Sequence, residues 1–466
     1  MSTVTVSTSP RRGFDSLQDE VRLDRLEVQG TVPSWLTGSL IRTGPALWDL
    51  PGQTMSHWFD GLAMLHRFSF ADQSVSYANR FLETRAYRAA REHGRLSYSE
   101  FATDPCRSLF QRVTAMFSPA ITDNANVNLV KLGERFVAMT ETPLPVQFDR
   151  DTLAAAGLAY RAPGHISTAH PHMDRGDRGM INYAAQLGPR SSYRFFHLPP
   201  GSETPQVIAR RPVREPAYMH SFGLTERWLV LMEFPLVVNP LRLALSGRPF
   251  IENYRWRPEL GTRIQLLSRT GEADVGPFQT DARFGFHHVN AYEEGQDVIV
   301  DVCTYPDAGI VQDLYLERLR AGKPITGAAL ERFRISPGSG EVTVERLLDE
   351  AIELPRINYG RCNERPYRYA WGVGSAGGWL DRIVKGDLVA RTSQTWQQDG
   401  AFPGEPVFVA APDAKDEDEG VLLSVVLDGR RETSFLLILD AGTLEELARA
   451  EVPHAIPFGF HGSFTP

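Results

Sequence analysis

FHHVNAYEE, residues 286–294, sets two histidines in a β-type run that ends in a charged turn, and DVIVDV (297–302) returns at once to strand character. Alternate side chains of such a run face the interior, and a buried imidazole needs hydrogen-bond partners or a metal. Three further histidines sit in similar surroundings: His170 in AHPH (169–172), His220 in MHSF (219–222) and His461 in FHGSF (460–464). Each lies against Phe, Met or Ala. Their separations of 50, 67 and 174 residues mean that only the fold could bring the rings together. The four are read as ligands of one buried metal ion.

The rest of the chain supports an all-β architecture. Its 39 glycines and 32 prolines are scattered rather than gathered in a linker. Between them recur short apolar runs, at 136–139, 228–232, 297–302, 421–427 and 434–439, at the interval of a fold with many strands and turns. Long amphipathic helical patterns are few, and no sharp internal repeat marks the blades of a propeller. So many strands need their edges managed, which favours closed or radially repeated sheets. Strands converging on a propeller axis would also gather distant histidines. Residues 1–14 read as a disordered arm and 15–466 as a single domain. HWFDG (57–61) reads as a structural turn whose Trp58 packs in the core, with a strand over 64–70.

Composition narrows the partners. Of the 466 residues, 42% are hydrophobic and 10% aromatic, enough for a large core and a lined cavity. The net charge of −8 gives a nucleic acid no electrostatic support. Cys106, Cys303 and Cys362 form no close pair, which excludes a disulfide framework and a Cys-based zinc site and fits a reducing compartment. The arm lacks the apolar segment of a signal peptide, and no run approaches the roughly 18 apolar residues of a membrane span. A cytoplasmic protein is expected, with surface attachment to a membrane left open. Two stretches suit such attachment as well as they suit the core: 105–119 (PCRSLFQRVTAMFSP), read as a short amphipathic helix with its apolar patch at 107–117, and 236–250 (LVVNPLRLALSGRPF).

Neutral imidazole suits iron, copper, zinc or nickel, and the lack of clustered carboxylates argues against calcium and magnesium. Ligating histidines usually donate their other ring nitrogen to a carboxylate or carbonyl. Three acids flanked by apolar residues are candidates: Glu141 in MTETP (139–143), Glu353 in IELP (352–355) and Glu405 in GEPVF (404–408). No Gly-rich phosphate loop is found, so neither a nucleotide nor a flavin is expected.

At these residues the chain resembles the carotenoid cleavage oxygenase family, over nearly its whole length. The matching stretches run in order from HWFDG (57–61) to PFGFHG (457–462). RFLETRAY (80–87), DPC (104–106), TET (140–142) and LPRINYGRCNERPYRY (354–369) look like its animal-type branch. The resemblance implies a seven-bladed β-propeller with a small helical cap over an axial iron site. It implies one Fe(2+) per chain, held by His170, His220, His287 and His461, with Glu141, Glu353 and Glu405 behind three of them and none behind the fourth. Val127 matches the position whose side chain crowds an open coordination site. The implied substrates are an apolar polyene and O2, with one alkene bond of a carotenoid or apocarotenoid cleaved to two carbonyl products, central cleavage to retinal among the options. The stilbene-cleaving branch carries a lysine where this chain has Thr140, which argues against a phenolic stilbene. The alternatives are stilbene-type cleavage at the same site and a non-cleaving isomerohydrolase or carotenoid-binding propeller.

Overall fold

The computed structural model describes residues 9–105 and 121–466. Among them, seven antiparallel sheets of four to six strands are arranged as the blades of a β-propeller, with two short two-stranded ribbons besides. The expected runs all fall in strands: Arg135–Met139, Trp228–Glu233, Asp297–Tyr305, Gly420–Asp428 and Thr433–Asp440. Their position explains their composition. Gly420–Asp428 is buried at all seven interior positions, because a middle strand of a blade is covered on both faces and so reads as a continuous apolar run. Outer strands such as Gln206–Pro212 are largely exposed and polar.

Both chain ends close the ring. Val28–Gly30 pairs with Glu446–Val452 at the edge of the seventh blade. Gly462–Thr465 pairs with Gly38–Leu47 in the first blade. Each end strand therefore joins sequence-distant blades, and a closed ring leaves few free edges. Deleting residues 461–466 removes that strand together with His461. The expected outcome is loss of metal retention and a lower Tm, read by elemental analysis and circular dichroism.

Two features refine the sequence expectations, and a third expectation falls outside the described residues. Within the arm read as disordered, Pro10–Phe14 forms a 3-10 turn, and residues 1–8 lie outside the described ones. Phe14 is its anchor, buried edge-on against Trp379 at 4.7 Å between ring centroids. The helix expected over 105–119, with the patch at 107–117, lies outside the described residues. In 236–250, Leu236–Val238 is a buried strand, followed by a short helix, Pro240–Leu245. Asn239 caps that helix by accepting from the amides of Leu241 and Arg242, with Pro240 in the first turn. The helix leaves Leu241 69% and Leu245 57% exposed. No helix among the described residues is long and apolar enough to cross a membrane.

HWFDG forms a capped 3-10 turn, Trp58–Asp60. Trp58 is buried and donates from its ring to the Phe458 carbonyl at 2.8 Å, so this turn is tied to the segment that carries His461.

Candidate metal centre

Each blade sends one polar side chain toward the axis. His461 immediately precedes the strand Gly462–Thr465 of the first blade, and Glu141 lies between two strands of the second. His170 and His220 stand in the loops leading to strands of the third and fourth, and His287 lies within the strand Phe284–Glu294 of the fifth. Glu353 opens the strand Glu353–Arg356 of the sixth, and Glu405 joins two strands of the seventh. Four blades thus supply the histidines and the other three supply the acids.

Local irregularities aim these groups. The pairing of Phe284–Glu294 with its neighbour shifts register on both sides of His288, and a bulge of this kind re-aims a side chain that regular pleating would send elsewhere. At Glu353 the register also shifts before Arg356, and Leu354 adopts a left-handed φ of 48°. That backbone turn lets the Leu354 amide donate to the Glu353 carboxylate at 2.6 Å.

One ring nitrogen of each of the four histidines lies within 4.8 Å of the others. The Nε2 atoms of His170 and His220 are 2.9 Å apart, and those of His287 and His461 are 3.1 Å apart. The opposite ring nitrogens are committed. His220 Nδ1 donates to Glu141 at 2.7 Å, His287 Nδ1 to Glu353 at 2.6 Å and His461 Nδ1 to Glu405 at 2.6 Å. Among the described residues no carboxylate accepts from His170.

Burial pushes His461 down to about 4. Burial, then the neighbouring imidazoles, hold His170 well below its ordinary value, and burial also lowers His220 although Glu141 opposes it. With the Nδ1–H of His220, His287 and His461 given to acids, their Nε2 lone pairs turn inward, and the Nε2 atoms of each close pair stand at about van der Waals separation. Such a set of acceptors fits a cation between them and fits little else. The donors present are those of an all-imidazole transition-metal site.

The acids differ in how they are held. Glu405 is fully buried and accepts from Arg356 Nε at 2.8 Å, Arg356 Nη2 at 3.0 Å and the Gly462 amide at 2.8 Å, besides His461. Burial alone would raise it, but the Arg356 charge and the hydrogen bonds from Arg356 and His461 outweigh burial and leave it at about 2. Burial likewise opposes ionisation of Glu353, and His287 overcomes it. Tyr305 donates to Glu353 at 3.1 Å and Tyr218 to Glu141 at 2.9 Å.

Arg356, Tyr218 and Tyr305 escaped the sequence reading. Arg356 stands inside the 354–369 stretch, three residues after a buried acid, and that proximity was the only signal. The second member of each histidine pair is occupied elsewhere: His172 bonds Tyr359 Oη at 3.1 Å and the Phe222 carbonyl at 3.0 Å, and His288 bonds Ser221 Oγ at 2.8 Å.

The centre opens on a cavity of about 730 Å³ lined by His220, His287, His461 and Val127, with aromatic walls that include Trp58, Phe59, Phe101 and Phe286. Val127 is buried, and its carbonyl accepts from the His461 amide at 3.3 Å, so its side chain stands beside the histidines on the cavity side. Thr140 lines the same cavity next to Glu141.

The family model described as retinal pigment epithelial membrane protein matches residues 14–466. The chain is 33% identical to the carotenoid-cleaving dioxygenase, mitochondrial, of Macaca fascicularis, over 94% of this chain and 91% of that protein. It is 34% identical to the beta,beta-carotene 15,15'-dioxygenase of Rattus norvegicus, over 95% of this chain and 89% of that one. The macaque protein's name places that relative in mitochondria, at odds with a plainly cytoplasmic expectation. Cobalt-substituted Synechocystis apocarotenoid oxygenase has a similar structure, with a TM-score of 0.85 and 26% identity over 98% of this chain and 99% of that one. With a family model matched across the whole propeller and relatives of this identity over its length, the chain belongs to the carotenoid cleavage oxygenase family, that of the retinal pigment epithelial membrane protein.

Proposed function

We propose that this chain is a non-haem Fe(II) dioxygenase that cleaves a double bond of a carotenoid or apocarotenoid with O2, giving two aldehyde or ketone products. The observation that carries the reading is the convergence of four imidazoles, three of them at the wall of an aromatic-lined cavity. The names of the macaque and rat relatives supply the substrate class.

His170, His220, His287 and His461 would hold one iron. When bound, the iron supplies a place where O2 meets an electron-rich alkene, so no nucleotide or flavin is called for. Glu141, Glu353 and Glu405 keep the Nδ1–H tautomer, and with it the Nε2 lone pairs, on the inward side. The cavity walls exclude water and hold a long apolar chain in one register against the histidines, and that register decides which bond is cut. Val127 narrows the space beside the histidines. Thr140 offers no cation to grip a phenolate, which supports a polyene over a hydroxystilbene. Pro240 and Leu245 line the cavity while Leu241 projects outward. This helix would touch a membrane surface and admit an apolar substrate from it.

Aerobic incubation of the iron-loaded protein with β-carotene, an apocarotenal and a hydroxystilbene, with products resolved by mass, tests the reading. Two carbonyl fragments from a polyene are expected, and their lengths name the bond. Cleavage of the stilbene alone would contradict the role given to Thr140. Polyene binding or isomerisation without O2 uptake would replace the reading with a non-cleaving one.

A further inference from the structure

A continuous series of aromatic rings walls the cavity. Phe250, five residues after the helix at the mouth, has its ring centroid 6.2 Å from that of Phe101. Phe101 lies 5.1 Å from Phe59, and Phe59 lies 5.2 Å from Phe460, the neighbour of His461. Beyond the metal centre the series goes on, from Phe460 to Trp58 at 4.4 Å and from Trp58 to Trp379 at 5.1 Å. All six rings line the cavity. Their contacts order the wall from the mouth, past the histidines, to Trp379.

At Trp379 the apolar passage stops. Its side chain borders two voids, the cavity of about 730 Å³ and a second cleft of about 280 Å³. The walls of the cleft include Lys323, Asp381, Gln397 and Asp399, and covering such groups with hydrocarbon is unfavourable. Trp379 stands in the loop that joins the strands Tyr369–Gly374 and Arg382–Asp387, yet it is buried. Phe14 backs it edge-on at 4.7 Å and Phe458 at 5.1 Å. Phe14 itself lines the cleft, so the turn at the chain's start braces the partition from behind.

We infer that Trp379 is the stop that sets substrate depth. A polyene entering beside the helix runs past the histidines until its inner end meets this indole, and the cut falls at a fixed distance from that end. This rests on the dioxygenase reading and names the residue that sets its register. A stop of this kind measures the inner fragment alone, and surplus length stays toward the mouth.

Polyenes with the same two end groups and a graded length between them test the stop in two ways. Turnover by the iron-loaded protein should give one fragment of constant mass across the series, while the other grows with the substrate. Trp379→Ala vacates the space of the indole, so the constant fragment should lengthen by at least one two-carbon step, the spacing of double bonds in a polyene. Trp379→Tyr, which keeps a ring of similar reach, should cut as wild type does. The second measurement is titration of the same proteins without O2, read by tryptophan quenching, since Trp58 stays in the cavity wall of every variant. Affinity should rise by up to about 4-fold per added carbon until the chain fills the cavity, and then level off. In Trp379→Ala the levelling should come at a longer chain. A constant fragment of unchanged mass in Trp379→Ala overturns the inference, as does levelling at the wild-type length or a wild-type series in which both fragments change. Should Trp379→Ala fail to fold, Trp379→Leu also shortens the side chain and is read the same way. Wild-type protein that binds the polyenes and cuts none sinks the dioxygenase reading, and the titration then still decides whether Trp379 is the stop.

Discussion

His287→Ala protein loses its metal and its activity while keeping its fold. The substitution deletes one of four converging nitrogens, and the remaining three cannot restore the set. Removing an outer partner of a metal site typically costs 10–100-fold in affinity or activity, so loss of a ligand should exceed about 100-fold. The propeller should survive, because Glu353 keeps the Tyr305 hydroxyl and the Leu354 amide as donors. His172→Ala is the control. That ring bonds Tyr359 and the Phe222 carbonyl rather than facing the centre, so the variant should retain full metal content. Elemental analysis beside a thermal melt reads both variants. Wild-type metal content in His287→Ala, or metal loss in His172→Ala, would contradict the assignment.

Glu405→Leu has a second large effect, this time on the fold as well as on the metal. Glu405 is fully buried and accepts from the Arg356 fork, His461 and the Gly462 amide. Leucine leaves Arg356 Nε, the His461 Nδ1–H and the Gly462 amide without this acceptor, while Arg356 Nη2 keeps only the Gly462 carbonyl. Breaking one side of a buried ion pair costs about 3–5 kcal/mol, and the partly exposed Arg356 places this case near the low end. Urea unfolding should therefore show a loss of about 3 kcal/mol. The segment affected is also the one that closes the first blade. Glu141→Gln and Glu353→Gln should weaken metal binding by about 10–100-fold with a much smaller change in unfolding. Their remaining side-chain donors are the Tyr218 and Tyr305 hydroxyls, which rotate to new acceptors more freely than a guanidinium fork. Equal destabilisation by all three substitutions would show that Arg356 has no special part.

Much of this centre was legible because its chemistry is unusual for its surroundings. Histidines and glutamates flanked by Phe, Met, Ala and Pro stand out in strand-like runs, and His170, His220, His287 and His461 do converge. The β class was legible from runs such as 421–427, whose uninterrupted apolar character follows from a strand covered on both faces. The blade count was not legible from periodicity, since the blades differ in strand length and two of them take a strand from the opposite end of the chain. That element came from the family resemblance. Arg356 was missed because an arginine in a polar stretch looks like a solvated one, and only the fold brings it to Glu405. The bulge around His288 was hidden for a similar reason, since register depends on the partner strand. Phe14 shows the opposite error. One aromatic at the end of a polar arm was enough to anchor it, through contacts with Trp58, Trp379 and Phe458 that are all remote in sequence.

X-ray absorption on the iron-loaded wild-type protein, with its iron content measured on the same sample, addresses the central claim directly. One iron per chain in a shell of four imidazole nitrogens is the predicted result. Substoichiometric iron with sulfur or mainly carboxylate oxygen neighbours would contradict it.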